Sequence, residues 1–243
     1  MTTLAFESSA KAASVAIMRD GRLLAQYYQD SGLTHSRTLM KMAEDILKNN
    51  EMTVADIDRV AVARGPGSFT GIRIGVAAAK GFAWGADIPV RAVSTLCAAA
   101  RVFASDGVTA PRDSVIIAPV MDARRDEFYN ALFELKNGII TRLCEDRAIA
   151  GEALAGEVSA GEVYGSAPII LTGDGAEKCA GIFDALGAPY SMAPQLLRLQ
   201  CALGVALAAE EVPDVSATEV SPVYLRVSQA ERVLAERAEA SKK

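Results

Sequence analysis

The chain of 243 residues runs through one order of features twice, and this duplication limits its possible folds more than any other property. In the first copy, "TLAFES" contains the acidic residue Glu7, "ASVAIMRD" follows, and Asp20–Gly21 leads into "RLLAQYYQ". In the second, "VIIAPVMD" ends on Asp122, "EFYNALFELKNG" follows a turn, and Asn137–Gly138 leads into "IITRLCED". Glu7 to Gly21 spans 14 positions and Asp122 to Gly138 spans 16. Apolar runs of this length around Asp-Gly and Asn-Gly predict strands joined by tight hairpins. A second theme also recurs: "DIDRVAVARG" and "APIILTGDG" each predict a strand, then glycines, then a helix. Two such halves predict an α/β protein of two lobes, each a sheet flanked by helices. The polar break "DGVTAPRDS" (Asp106–Ser114) predicts lobes at residues 1–106 and 107–243. A helical pattern near 194–211 is expected to cross back to the first lobe.

The first lobe predicts two further helices. Leu39, Ala43, Ile46 and Leu47 recur at helical spacing after a cap at Thr34 or Ser36, and Asn49–Asn50 ends the run. The other runs from about Thr70 to Trp84, directly after a loop that sets three glycines and a proline within eight residues, "RGPGSFTG". Three readings of this stretch are open. As a phosphate cradle, Gly65, Gly67, Ser68 and Thr70 would present N–H groups and a helix N-terminus to an anion. Both the Walker and the G-x-G-x-x-G spacings are missed, because position 70 is Thr and Gly71 lies one residue too far. As a nucleophile loop, Ser68 lacks the G-x-S-x-G frame and has only His35 as a possible base. As a packing device, Gly71, Gly75 and Ala79 line one helix face. Interior glycines each cost about 1 kcal/mol of helix propensity, so such a face requires close contacts. Those contacts are either with the chain's own core or with another subunit, and Met40 and Met42 on the preceding helix suit both.

Residue counts exclude several functions. A single histidine, His35, prevents a histidine-paired metal site within one chain. Cys97, Cys144, Cys179 and Cys201 show no C-x-x-C spacing, so reduced thiols are expected rather than disulfides or zinc. The net charge of −5 argues against extensive direct binding of nucleic acid. "MTTLAFESSAK" lacks the pattern of a secretory signal, and "IGVAAAKGFAWG" is interrupted by Lys80 and too short to span a bilayer. A cytoplasmic protein without a membrane segment is expected. Glu7-Ser8-Ser9 and Asp122–Arg125 occupy matching places in the two copies. Such carboxylates hold magnesium in phosphotransferases, but neither turn contains glycine, and local turn capping is the preferred reading.

"LAFESSAKAASVAI", "ARGPGSFTGIRIGVAAAKGFAWGADIPVRAVSTL", "MDARRDEFY" and "SPVYLR" together resemble the TsaB (YeaZ) family, in order from residue 4 to about residue 226. The resemblance implies the two-lobed actin/Hsp70/sugar-kinase-like (ASKHA) fold with duplicated ribonuclease-H-like lobes. It also implies a non-catalytic scaffold or activating subunit for TsaD. That enzyme forms N6-threonylcarbamoyladenosine at position 37 of tRNAs reading ANN codons. TsaD carries an H-x-x-x-H metal motif that this chain cannot supply, since position 39 is Leu. The resemblance assigns no catalytic residue, metal or cofactor to the isolated chain, with ATP and metal belonging to the partner subunits TsaD and TsaE. It implies a homodimer when TsaD is absent, and tRNA contact only through the complex. The helices at about Ser36–Asn49 and Thr70–Trp84 would form the interface, through His35, Leu39, Met42, Ile46, Gly71, Ile72, Gly75 and Ala79. One departure is Glu7-Ser8, where the family usually has Asp-Thr. The alternatives are a small-molecule kinase of the same superfamily and a peptidase built on Ser68.

Overall fold

Strands form where β-branched and small apolar residues alternate between two faces, and here both faces are covered. A computed structural model describes residues 1–104, 114–161, 165 and 167–226. β1 (Thr2–Glu7) pairs antiparallel with β2 (Ala13–Arg19), and β2 with β3 (Arg22–Gln29). The β2–β3 turn is Asp20–Gly21, with φ of 50° and 77°, the left-handed pair that a two-residue hairpin requires. α1 (His35–Asn49) then leads to β4 (Arg59–Ala63), parallel to β1. α2 (Phe69–Ala86) leads to β5 (Val90–Val93), parallel to β4. The sheet order is β3-β2-β1-β4-β5. α3 (Thr95–Arg101) follows, capped by Ser94.

The second sheet repeats this plan with two interrupted strands. β6 (Val115–Asp122) takes the place of β1. β7 (Glu127–Asn130) pairs antiparallel with its C-terminal part and β8 (Phe133–Lys136) with its N-terminal part. β9 (Ile139–Arg142) and β10 (Arg147–Ala150) flank β8 and β7 in turn. After α4 (Gly151–Ala160), β11 (Ile169–Thr172) lies parallel to β6. After α5 (Ala176–Leu186), β12 (Ser191–Met192) lies parallel to β11. Both lobes thus have one ribonuclease-H-like topology, and together they form the two-lobed actin/Hsp70/sugar-kinase-like fold. α6 (Gln195–Arg198) and α7 (Ala202–Ala209) complete the described helices.

Side-chain size sets the layers. Leu4, Phe6, Val15, Ile17, Val60 and Val62 point to one face of the first sheet and pack under α1 and α2. The opposite face carries Ala5, Ala16, Ala61 and Ala63, small enough for α7 to lie close. Leu96 and Ala100 of α3 pack instead on Ile117, Met121 and Phe133 of the second sheet. α4 and α5 cover that sheet's outer face around Leu154, Phe183 and Leu171. Each large buried side chain contributes about 1.5–3 kcal/mol through removal from water.

The expected helix at 194–211 is two helices, α6 and α7, separated by Leu199 and Cys201 in extended conformation. α7 rests on β1 and β2, and the chain beyond it stays with the first lobe. Val215 bridges to Val90, Lys80 Nζ donates to the carbonyls of Thr218 and Val220, and Val223 N–H donates to Arg64 O. The expected boundary at residues 106–113 lies outside the described residues. No described helix is long and apolar enough to cross a membrane.

Candidate functional site

The glycine block after β4 is a clamp on the turn between β1 and β2. Gly65 (φ 121°) and Gly67 (φ 156°) take conformations that L side chains rarely adopt. A Cβ at Gly65 would strike the Val223 carbonyl, and one at Gly67 would strike the Ser9 carbonyl. Ser68 N–H donates to Ser9 O at 2.7 Å, and the Ser68 side chain caps α2 by accepting from Gly71 N–H. A Cβ at Gly71 would overlap the Ser8 carbonyl, and one at Gly75 would lie 2.5 Å from Ser8 Oγ. Ser8 Oγ in turn donates to Gly71 O at 2.9 Å.

The interface residues expected from the sequence are thereby turned inward. Leu39, Ile46, Ile72 and Ala79 are fully buried in the first lobe's core, and Met42 packs half-buried against it. Gly71 and Gly75 meet Ser8 rather than a second subunit. His35 Nε2 hydrogen-bonds Ala10 O at 2.8 Å, which ties the start of α1 to the same turn. The physical reason is plain: a stripe at helical spacing is the stripe that the chain's own sheet demands. What α1 and α2 leave outside is a different set, with Met40 46% and Trp84 81% exposed. Ala77, Gly81 and Gly85 are exposed with Trp84 on α2, and a Cβ at Gly81 or Gly85 would meet nothing within 4 Å. His35 and Ser68 each have other partners and do not form a base–nucleophile pair.

Between the lobes lies a cavity of about 460 Å³. Gly67, Ser68 and Thr70 of the expected anion loop line it, whereas Gly65 is buried beneath Val223. Ser9, Met121, Asp122 and Asp174 line it as well, with Lys11 and Arg226. The two acidic turns face it with one local geometry. Glu7 Oε1 accepts from Ser9 N–H at 2.6 Å, and Asp122 Oδ1 accepts from Arg124 N–H at 2.7 Å. Each carboxylate therefore caps its own turn, as the preferred reading of the sequence held.

Their surroundings differ. Burial pushes the Glu7 carboxyl up to about 7, with the charge of Asp174 adding to the effect. Burial likewise pushes Asp174 up to about 6, and Asp122 contributes. Among the described residues, Glu7 Oε2, Ser9 Oγ, Asp174 Oδ1 and both amide atoms of Gln200 are buried without a well-formed hydrogen bond. Such atoms mark places where water or a ligand completes a polar network. Among the described residues no three His, Cys, Asp or Glu side chains gather in a metal-binding group. The four cysteines are free, and burial pushes the Cys179 thiol up to about 12, which keeps it inert.

A family model described as TsaD, tRNA N6-adenosine threonylcarbamoyltransferase, matches residues 29–167, more than half of the chain. The chain belongs to the TsaB/YeaZ family. It is 37% identical over 152 residues to the tRNA threonylcarbamoyladenosine biosynthesis protein TsaB of Bacillus subtilis, covering 61% of this chain and 62% of that protein. It is 36% identical over 140 residues to TsaB of Escherichia coli K12, covering 57% and 58%. The matched stretch thus spans about three fifths of each of these relatives. Among solved structures, YeaZ from Pseudomonas aeruginosa superposes with a TM-score of 0.74 at 27% identity, over 92% of this chain and 99% of that one. A protein from the same organism, described as uncharacterized with similarity to peptidase YEAZ, gives 0.76 at 27% identity, over 93% and 99%.

Sequence reasoning missed Asp174, Gln200 and Trp84. Asp174 was signalled: "GDG" follows β11 as "GPG" follows β4, so it occupies the place of Pro66 at the equivalent loop of the other lobe. Gln200 and the exposure of Trp84 carried no sequence signal, because both depend on how distant segments pack.

Proposed function

We propose that this protein is a non-catalytic activating subunit that docks TsaD and supports formation of N6-threonylcarbamoyladenosine at position 37 of tRNAs reading ANN codons. The observation that carries the reading is the outer face of α2, where Ala77, Gly81 and Trp84 stand exposed and a Cβ at Gly81 would meet nothing within 4 Å. Helices that leave such a surface exposed are suited to packing against helices of another chain. In this reading TsaE joins the complex, the same face supports a homodimer when TsaD is absent, and tRNA is met only through the complex. ATP and metal are supplied by the partner subunits, and the complex works in the cytoplasm. The lobes are assigned to residues 1–106 and 107–243, with α7 and the following strap returning to the partner-binding lobe.

A small-molecule kinase is the alternative from another class. The polar cavity favours it, but Ser8-Ser9-Ala10 lacks the glycine that lets a backbone wrap a phosphate, and Glu7 already caps its turn. Reconstitution decides between them. TsaD, TsaE, ATP and a threonylcarbamoyl-adenylate donor should modify the adenosine of a tRNA substrate only when this chain is added, and the chain alone should neither modify tRNA nor turn over ATP. Turnover of ATP with a sugar or other small acceptor by the isolated chain would establish the kinase instead.

A further inference from the structure

The chain's one tryptophan is 81% exposed, an uncommon position for its largest apolar side chain. It stands at the C-terminal end of α2, beside a groove of about 380 Å³ between that helix end and the strap at residues 214–219. Ile88 and Pro89 line the groove, together with the carboxylates of Asp87, Asp214 and Glu219, and among the described residues no Lys or Arg lines it. Asp214 is taken by Arg91, whose Nε donates to it at 2.6 Å. Lys80, the other cation bonded to the strap, is held by the Thr218 and Val220 carbonyls. Among the described residues Asp87 and Glu219 have no cationic partner at the groove, and Glu219 Oε2 accepts from Ser216 N–H at 2.8 Å. The negative end of the α2 dipole points to the same place. An aromatic face, two carboxylates and a helix C-terminus form one complementary site for a cation.

We propose that this groove receives an arginine side chain of a partner protein, stacked on the Trp84 indole and forked between Asp87 and Glu219. A planar guanidinium fits better than an ammonium, because it stacks on an aromatic face while its N–H groups reach two carboxylates at once. Trp84 also belongs to the outer face of α2 used in the proposed docking, so where TsaD is the partner the contact rests on that reading, while a titration of the chain by itself reads the groove with no transferase present.

Because Trp84 is the only tryptophan, the chain's tryptophan fluorescence arises at the edge of this groove. The full chain is titrated with an acetylated tri-arginine amide and with the matching tri-citrulline peptide, which keeps the shape and removes the charge. The arginine peptide should change Trp84 emission saturably, and rising salt should weaken it. The double variant Asp87→Asn, Glu219→Gln should bind at least about fivefold more weakly, the scale of losing one exposed cation contact. Both substitutions keep the fold: Asn tolerates the left-handed φ of 53° at Asp87, and Gln still accepts from Ser216 N–H. An equal response to citrulline, an unchanged affinity in the double variant, or no saturable change would each overturn the proposal. So would emission that changes only with protein concentration, in step with self-association, because a second copy would then be the occupant.

Discussion

Glu7 and Asp122 stand at the same point of two copies of one fold, and they have opposite fates. Each ends the central strand of its sheet and caps the turn two residues on, at 2.6 and 2.7 Å. In the first lobe the turn is gripped from above by Gly67, Gly71 and Gly75, so Glu7 is sealed at 1% exposure and one oxygen is left without a partner. In the second, Gly173 and Gly175 approach Val120 and Asp122 in the same manner, but the Asp122 side chain stays exposed and pairs with Lys178. The comparison teaches that duplication preserves backbone geometry while burial decides what a carboxylate does. In the first lobe the acidic turn has become a packing element beneath α2. In the second it remains a solvated charge at the cleft.

The largest effect should come from breaking the clamp. Gly71→Val places a side chain against the Ser8 carbonyl, which is backbone and cannot turn aside. A loss of about 3 kcal/mol or more in urea unfolding, or failure to fold, is expected. Gly81→Val on the outer face of the same helix should change stability by under about 1 kcal/mol. Equal losses would show that the two faces are not distinguished as described.

Glu7→Gln should have the next largest effect, and it depends on pH. The folded value of about 7 lies above the ordinary 4.5, so folding favours protonated Glu7. Its contribution is complete below about 4.5, declines as pH rises to about 7, and is lost above that. The displacement corresponds to about 3 kcal/mol. The Gln variant keeps the acceptor for Ser9 N–H and should not show the decline, so it should exceed wild type in stability at pH 8 and match it near pH 4.5. Denaturation curves across that range measure this, and parallel profiles would contradict it. Asp122→Asn and Lys178→Met should each cost under about 1 kcal/mol, because their ion pair is solvated.

The first sheet, the Asp20–Gly21 hairpin, α1, α2 and the duplication were legible because each rests on local pattern: alternation, turn chemistry and helical spacing. The interrupted strands of the second lobe and helix α4 were not, since a break at Ala131–Leu132 and a short helix with Gly151 and Gly156 leave little periodicity. The clearest failure was one of direction. The spacing of Leu39, Ile46, Ile72 and Ala79 leaves core and interface equally open, the family resemblance assigns them to an interface, and all four are buried in the chain's own core. A periodic stripe shows that a helix has a buried side but not what buries it. Only the packing of Gly71 and Gly75 on Ser8 decides that the chain's own sheet does.

The most direct test of the central claim is co-purification with the same organism's TsaD, comparing wild type with Gly81→Arg and with Ala77→Arg. Both positions are exposed on the outer face of α2, and at Gly81 a new side chain meets open space, so both variants should fold with wild-type stability. The account predicts that wild type captures TsaD and that neither folded variant does. Capture by both folded variants at wild-type levels would contradict it, and would show that the partner does not meet this chain on the outer face of α2.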